Sequence, residues 1–194
     1  MTVEHASDVL ISPEDYLDGE LRSEAKHEYL SGMVYAMAGA SNVHNEISGN
    51  LFAALHRRLR GKPCRPYNSD TKVRLRLRDQ VRFYYPDVQV TCHPNPPDDS
   101  FQDRPLLVVE VISESTRRAD EGEKRDGYLA LGSLEQYLIV EPGRACVTVW
   151  RRTAERFVRE VFLGLESVIS LPTLGAELPL GEIYEEIMFP SPAA

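Results

Sequence analysis

Two acids and a lysine stand where charge is costly or closely spaced. Asp87 follows Tyr84-Tyr85-Pro86 and precedes Val88-Gln89-Val90, and Glu110 sits inside Pro105-Leu106-Leu107-Val108-Val109-Glu110-Val111-Ile112. Both runs are short and rich in β-branched and aromatic residues, which predicts strands. A carboxylate on a core strand costs several kcal/mol unless a cation, a metal or a proton offsets it. Lys124 follows on a polar segment that also carries Asp120, Glu123 and Tyr128. Either acid alone is most simply a strand-end residue or the partner of an arginine. Together, with a lysine on the next helix, they predict a metal-dependent hydrolytic centre.

Several elements must position these groups. Ser12-Pro13-Glu14-Asp15 combines an N-cap, a proline at the first helical position and acids in the first turn, so a short helix starts there. His27 to Met37 predicts a hairpin turning at Ser31-Gly32, with Glu28 in its first strand. Glu28 fits a solvent-facing strand residue as well as a site residue. Ser41 opens the clearest helix, which Gly61 stops, and Ile47, Leu51, Leu55 and Leu59 make its buried stripe. His44 lies one turn before Ile47 and fits either a capping or core role or a functional one.

Asp70-Thr71-Lys72-Val73-Arg74-Leu75-Arg76-Leu77-Arg78 alternates strictly. Val73, Leu75 and Leu77 face the core in such a strand, and Lys72, Arg74, Arg76 and Arg78 share the other face. Like charges on one face repel, which an anion would relieve. Phosphate contact and plain solvation both fit this ribbon. A loop dense in Pro, Asp and Asn runs from His93 to Arg104. Beyond Glu110, Ser113-Glu114-Ser115-Thr116 offers hydroxyl caps to a helix from about Ala119 to Leu131. Asp120, Lys124 and Tyr128 share one face of that helix by their four-residue spacing. Glu135–Glu141, Cys146–Trp150 and Phe157–Phe162 form a meander, followed by a helix over Leu180–Ile187 and a Pro- and Ala-rich tail.

The chain has 194 residues and a formal net charge of −8, which suits one domain over residues 1–194 with a core of about 12–187. An acidic surface disfavours indiscriminate polyanion binding, so a nucleic-acid partner needs a local basic patch. No apolar run reaches the roughly 20 residues that span a membrane, and Met1-Thr2-Val3-Glu4-His5 lacks the features of a signal peptide. A cytoplasmic setting is the expectation. Cys64, Cys92 and Cys146 are distant, odd in number and without a CxxC spacing, so reduced thiols are expected.

At Pro86-Asp87, Glu110 and Lys124 the chain resembles the PD-(D/E)XK nuclease superfamily, and within it the Uma-type restriction endonuclease family. The likeness runs from about Ser12 to Tyr184. It rests on Glu28-Tyr29 through Gly32, Gly39-Ala40-Ser41 with His44, Ser69-Asp70, Tyr85-Pro86-Asp87-Val88, and Val109-Glu110-Val111-Ile112-Ser113 with Ser115-Thr116. The lysine-bearing helix and Glu135-Gln136-Tyr137 through Pro142 complete it. Ile112 stands where the superfamily usually has its lysine; the Uma-type pattern takes that lysine from the following helix, where Lys124 fits. Glu114 replaces a usual proline, and Leu138 a usual aromatic.

The resemblance implies a three-layer α/β restriction-endonuclease-like fold with a mixed β-sheet flanked by helices. It also implies a DNA endonuclease holding Mg²⁺, with Mn²⁺ as substitute, on Asp87, Glu110 and a main-chain carbonyl near Val111. Lys124 would orient water or stabilise charge on the phosphate. His44 and Asp70 are implied as accessory residues, with Glu28 either among them or solvent-facing. DNA and a second copy in a homodimer are the expected partners. A catalytically inactive nucleic-acid-binding or interaction protein on the same fold is the rival, as is a hydrolase of another phosphate ester.

Overall fold

The computed structural model describes residues 10–78 and 80–189. The N-terminal Met1–His5 and the end of the Pro- and Ala-rich tail, both considered above, lie outside the described residues.

Helix α1 (Pro13–Glu20) starts at Ser12, whose hydroxyl accepts from the Asp15 amide at 3.0 Å. Strands β1 (His27–Leu30) and β2 (Met33–Ala36) form the expected hairpin. Its two turn residues have φ of 51° at Ser31 and 105° at Gly32, a left-handed pair that a two-residue hairpin turn requires and glycine adopts without strain. Helix α2 (Asn42–Leu59) is capped by Ser41, which accepts from the His44 amide at 3.2 Å. Strands β3 (Arg65–Asn68), β4 (Lys72–Leu77), β5 (Gln80–Tyr84), β6 (Val88–Thr91), β7 (Phe101–Gln102) and β8 (Pro105–Val111) follow. Then come α3 (Arg117–Asp120), α4 (Glu123–Leu129) and strands β9 (Gln136–Val140), β10 (Cys146–Arg152) and β11 (Phe157–Leu163). A closing hairpin, β12 (Val168–Leu171) and β13 (Ala176–Pro179), leads into α5 (Leu180–Ile183).

The central sheet is mixed, in the order β11-β10-β9-β8-β6-β3, with β8 and β9 parallel. Its inner strands β6, β8 and β9 are buried on both faces, so β8 reads as an almost continuous hydrophobic run. Leu107, Val109 and Val111 join Val88 and Val90 against Ile47, Leu51, Leu55 and Leu59 of α2, with α5 and the β12–β13 hairpin completing that layer. Val108 and Ile112 point the other way, into Tyr128 of α4 and Val73, Leu75 and Tyr84 of a second sheet ordered β2-β1-β5-β4-β7. The fold class is the expected three-layer α/β arrangement, but much of one outer layer is this second sheet, antiparallel except for the short parallel pairing of β4 with β7.

Three local expectations need correction. The single helix over Ala119–Leu131 is two short helices, broken at Glu121-Gly122, where Gly122 leaves helical backbone (φ −123°, ψ −101°). The last helix ends at Ile183 rather than Ile187. Cys64 and Cys92 form a disulfide rather than reduced thiols. Arg65 pairs with Thr91 across β3 and β6, so the next position along that antiparallel ladder sets Cys64 opposite Cys92. The adjacency of those strands was not legible, and 28 residues of separation hid the pair. Cys146 is buried and free.

Candidate active site

The strand register brings the two acids together. Val88 pairs with Val109 between antiparallel β6 and β8, so the next position puts Asp87 opposite Glu110. Opposed residues of an antiparallel pair share a face, and like charges there repel. Val88 and Val109 both pack toward α2, so Asp87 and Glu110 belong to the other face. Asp87 stands at the entry to β6, just past the Tyr85-Pro86 break in the strand run. One of its oxygens lies 2.7 Å from His44 Nε2 and the other accepts from the Val111 amide at 2.7 Å. The capped first turn of α2 therefore delivers His44 to Asp87.

Lys124 reaches in from α4. Its ammonium lies 2.7 Å from Glu28, 3.5 Å from Asp120 and 4.0 Å from Glu110, and 5.3 Å from the centre of the Tyr84 ring. Tyr128, one turn further along α4, donates to Glu110 Oε1 at 3.2 Å. Asp120 is held from behind by the Tyr137 hydroxyl, which donates to its main-chain carbonyl at 3.0 Å. Ser113 and Thr116 fix the entry to α3 by exchanging amide-to-hydroxyl bonds of 3.1 and 3.2 Å.

The electrostatics follow from four acids and one lysine. Burial pushes the Glu110 carboxyl well above the ordinary glutamate range; Lys124 opposes this, while Asp120, Asp87 and Glu28 add to it. Burial also raises Glu28 and Asp120. Burial alone would lower Lys124, but the carboxylates of Glu110, Glu28 and Asp120 outweigh it and hold the group as an ammonium. One ammonium cannot neutralise all its acidic neighbours at once, so the centre has negative charge to share. Asp120 Oδ1 is buried without a hydrogen bond.

Hard carboxylate oxygens with unbalanced charge suit a divalent cation. Among the described residues no three His, Cys, Asp or Glu side chains already form a metal-holding group. Asp87 and Glu110 would supply two carboxylates, leaving other positions to a main-chain carbonyl and water, which is how Mg²⁺ is commonly held.

A family model described as "Putative restriction endonuclease", Uma2, matches residues 13–181. The chain belongs to the Uma2 family. An uncharacterised protein of Synechocystis sp., slr1290, is 32% identical over 180 residues, covering 92% of this chain and 94% of that protein. A second from the same organism, sll1609, is 28% identical over 139 residues, covering 70% and 77%. A crystal structure from Anabaena variabilis, described as a "putative nuclease", superposes with a TM-score of 0.73 over 92% of this chain and 99% of its own. At 15% identity that likeness establishes the shared fold.

Against this Uma2 framework, Asp87, Glu110, Val111, Lys124 and His44 meet in one place. Asp70 does not join them through any contact among the described residues. Its side chain is 70% exposed and pairs with Lys26 at 2.6 Å, which holds its carboxyl below the usual range. The basic ribbon is divided. Lys72 is buried, with its ammonium 3.0 Å from the Tyr85 hydroxyl, and burial lowers its pKa. Arg74 makes a two-pronged pair with Asp103, both contacts at 2.7 Å, and stacks on Phe101. Arg76 and Arg78 are exposed. They border an open hollow of about 540 Å³ with Leu77, Gln80 and Ala130. That hollow lies past the end of α4 away from Lys124, about 9 Å along the helix axis.

Asp120 was legible only as one member of a helical stripe, and Glu28 only as an ambiguous strand acid. Their signals differ: Glu28 is a charge inside a short strand, and Asp120 keeps a four-residue helical step from Lys124.

Proposed function

We propose that this chain is a divalent-metal-dependent endonuclease that hydrolyses phosphodiester bonds of DNA, with Mg²⁺ as its ion and Mn²⁺ as a substitute. The observation that carries the reading is the opposition of Asp87 and Glu110 on one sheet face with Lys124 beside them. Family membership supports the nuclease class, since the Uma2 description names restriction endonucleases.

Asp87 and Glu110 would hold the ion, with the Val111 carbonyl as a further donor. When bound, such an ion polarises the phosphate and acidifies a water. His44 and the Val111 amide orient the Asp87 carboxylate from its two sides. Lys124, held as an ammonium, would stabilise charge developing on the phosphate instead of accepting a proton. Asp70, salt-bridged at the surface, is left out of this mechanism. Arg76 and Arg78 are the members of the ribbon that remain available to phosphates. Residues 1–194 would form one nuclease domain acting as a homodimer, and sedimentation would check the second copy.

The test is cleavage of supercoiled and linear DNA with Mg²⁺ or Mn²⁺, beside Asp87→Ala and a chelator control. Wild-type protein should cut, and Asp87→Ala should lose about 100-fold or more, as should chelated wild type. Lys124→Met should lose a similar factor while binding Mn²⁺ as the parent does. Metal-loaded wild type that binds DNA and leaves it intact would favour the inactive binding protein instead.

A further inference from the structure

The hairpin that supplies Glu28 also presents two side chains that the catalytic centre does not use. Glu28 pairs with Tyr35 and Leu30 with Met33 across β1 and β2, so all four share one face. Tyr29 and Val34 take the opposite face and pack with Tyr16 and Phe83. Glu28 points into the centre, against Lys124 at 2.7 Å. Leu30 packs against the core cluster around Tyr128. Tyr35 and Met33, one strand further out on the sheet edge, continue that face into solvent at 48% and 52% exposure. The Tyr35 hydroxyl donates to Met33 Sδ at 3.3 Å, which ties the ring to the thioether.

Exposed apolar side chains are ordinary one at a time. The position of this pair is what gives it meaning. Cross-strand partners have Cβ atoms about 5 Å apart, so the Tyr35 side chain leaves the sheet one strand spacing from Glu28, whose carboxylate enters the centre. A molecule bound there must bring a phosphate to the acids and lysine, and it meets a flat aromatic face beside them. We propose that Tyr35, backed by Met33, is a stacking platform for a nucleobase next to the phosphate held at the Asp87–Glu110 centre. Any base offers a π face, so the platform tolerates sequence. A base in an intact duplex is already stacked on both sides, so the platform favours single-stranded or unpaired DNA at the site of cleavage. This inference rests on the nuclease reading above.

The experiment measures binding of fluorescent single-stranded oligonucleotides, with Ca²⁺ in place of Mg²⁺, to wild type, Tyr35→Ala, Tyr35→Phe and Met33→Ala. A second series of oligonucleotides carries one abasic residue at successive positions. Tyr35→Ala should weaken binding of the intact strand by roughly 5- to 150-fold, the range for losing one stacked base, and Tyr35→Phe should bind as the parent does. One abasic position should weaken wild type by a similar factor, and on that strand wild type and Tyr35→Ala should bind alike. With Mg²⁺, Tyr35→Ala should raise KM and leave kcat unchanged.

An equal loss for Tyr35→Ala on intact strands and at every abasic position would overturn the platform, because no base then depends on the ring. So would a change from dimer to monomer in Tyr35→Ala with DNA affinity intact, which would assign the face to a subunit contact. The abasic series on wild type alone decides the matter if Tyr35→Ala does not fold. Cleavage without coupling removes the platform and leaves the nuclease reading; failure of wild type to bind or cut any DNA removes both.

Discussion

Glu110 is buried, faces Asp87 across two strands, and has no arginine partner among the described residues. Its carboxyl therefore binds a proton more tightly in the folded chain than at the ordinary value of 4.5. A group raised in this way contributes stability that is fully present below the unfolded pKa and is lost as pH rises through the folded one. Metal-free protein should accordingly melt at lower temperature as pH climbs above the ordinary glutamate range. Glu110→Gln, which mimics the protonated acid, should flatten that dependence. Mg²⁺ should raise the wild-type melting temperature most at the alkaline end and leave Glu110→Gln unmoved. Thermal melts across pH, with and without Mg²⁺, check all three outcomes. At this scale Asp87, Glu110 and Lys124 were legible because each is a charge beside residues that demand burial or a fixed spacing. Glu28 was not, because the contact that gives it meaning is Lys124, which lies 96 residues away in sequence, whereas the four-residue step placed Asp120 beside Lys124 without showing that Glu28 joins them.

Helix α4 can deliver Lys124 only by lying close against β4. Gly127 makes that approach possible: a Cβ there would fall 2.8 Å from a methyl of Leu75, itself fully buried. Gly127→Val should destabilise by about 1–3 kcal/mol through overpacking, and should weaken cleavage more than DNA binding as Lys124 is displaced. Urea titration and single-turnover kinetics would separate the two effects. Helix α3, on the other side of the break, is anchored by its first residue, Arg117, which grips Glu141 just past the end of β9 with two contacts of 2.8 Å. The ribbon teaches the limits of pattern. Its alternation located β4 and its buried face, with Val73 and Leu75 fully enclosed. It could not reveal Tyr85 and Asp103, which arrive from later segments and occupy Lys72 and Arg74. The β12–β13 hairpin was missed for a related reason. Its strands are four residues each, as in β1 and β2, but a 3₁₀ turn over Pro172–Leu174 joins them instead of the Ser-Gly pair that marked the first hairpin.

At the scale of the molecule the order of motifs along the chain was enough to read a three-layer α/β fold. The second sheet was not readable, because β1, β2, β4, β5 and β7 come together from segments up to about 70 residues apart. The Cys64–Cys92 bridge closes a loop of 28 residues, for which chain-entropy arguments give about 3–4 kcal/mol. Denaturant titration with and without reductant should differ by about that amount, and thiol labelling of the unfolded chain should report one free cysteine before reduction and three after, since Cys146 is buried in the fold. The bridge also fastens one rim of the central sheet and leaves the other rim bare. Strand β3 is stapled to β6 at one end, whereas β11 is held by β10 alone. Disassembly should then have a direction: amide exchange should begin at β11, travel through β10, and reach β3 last. Reduction would remove that polarity and let the sheet fray from both sides, nearest of all to the strand that begins just after Asp87.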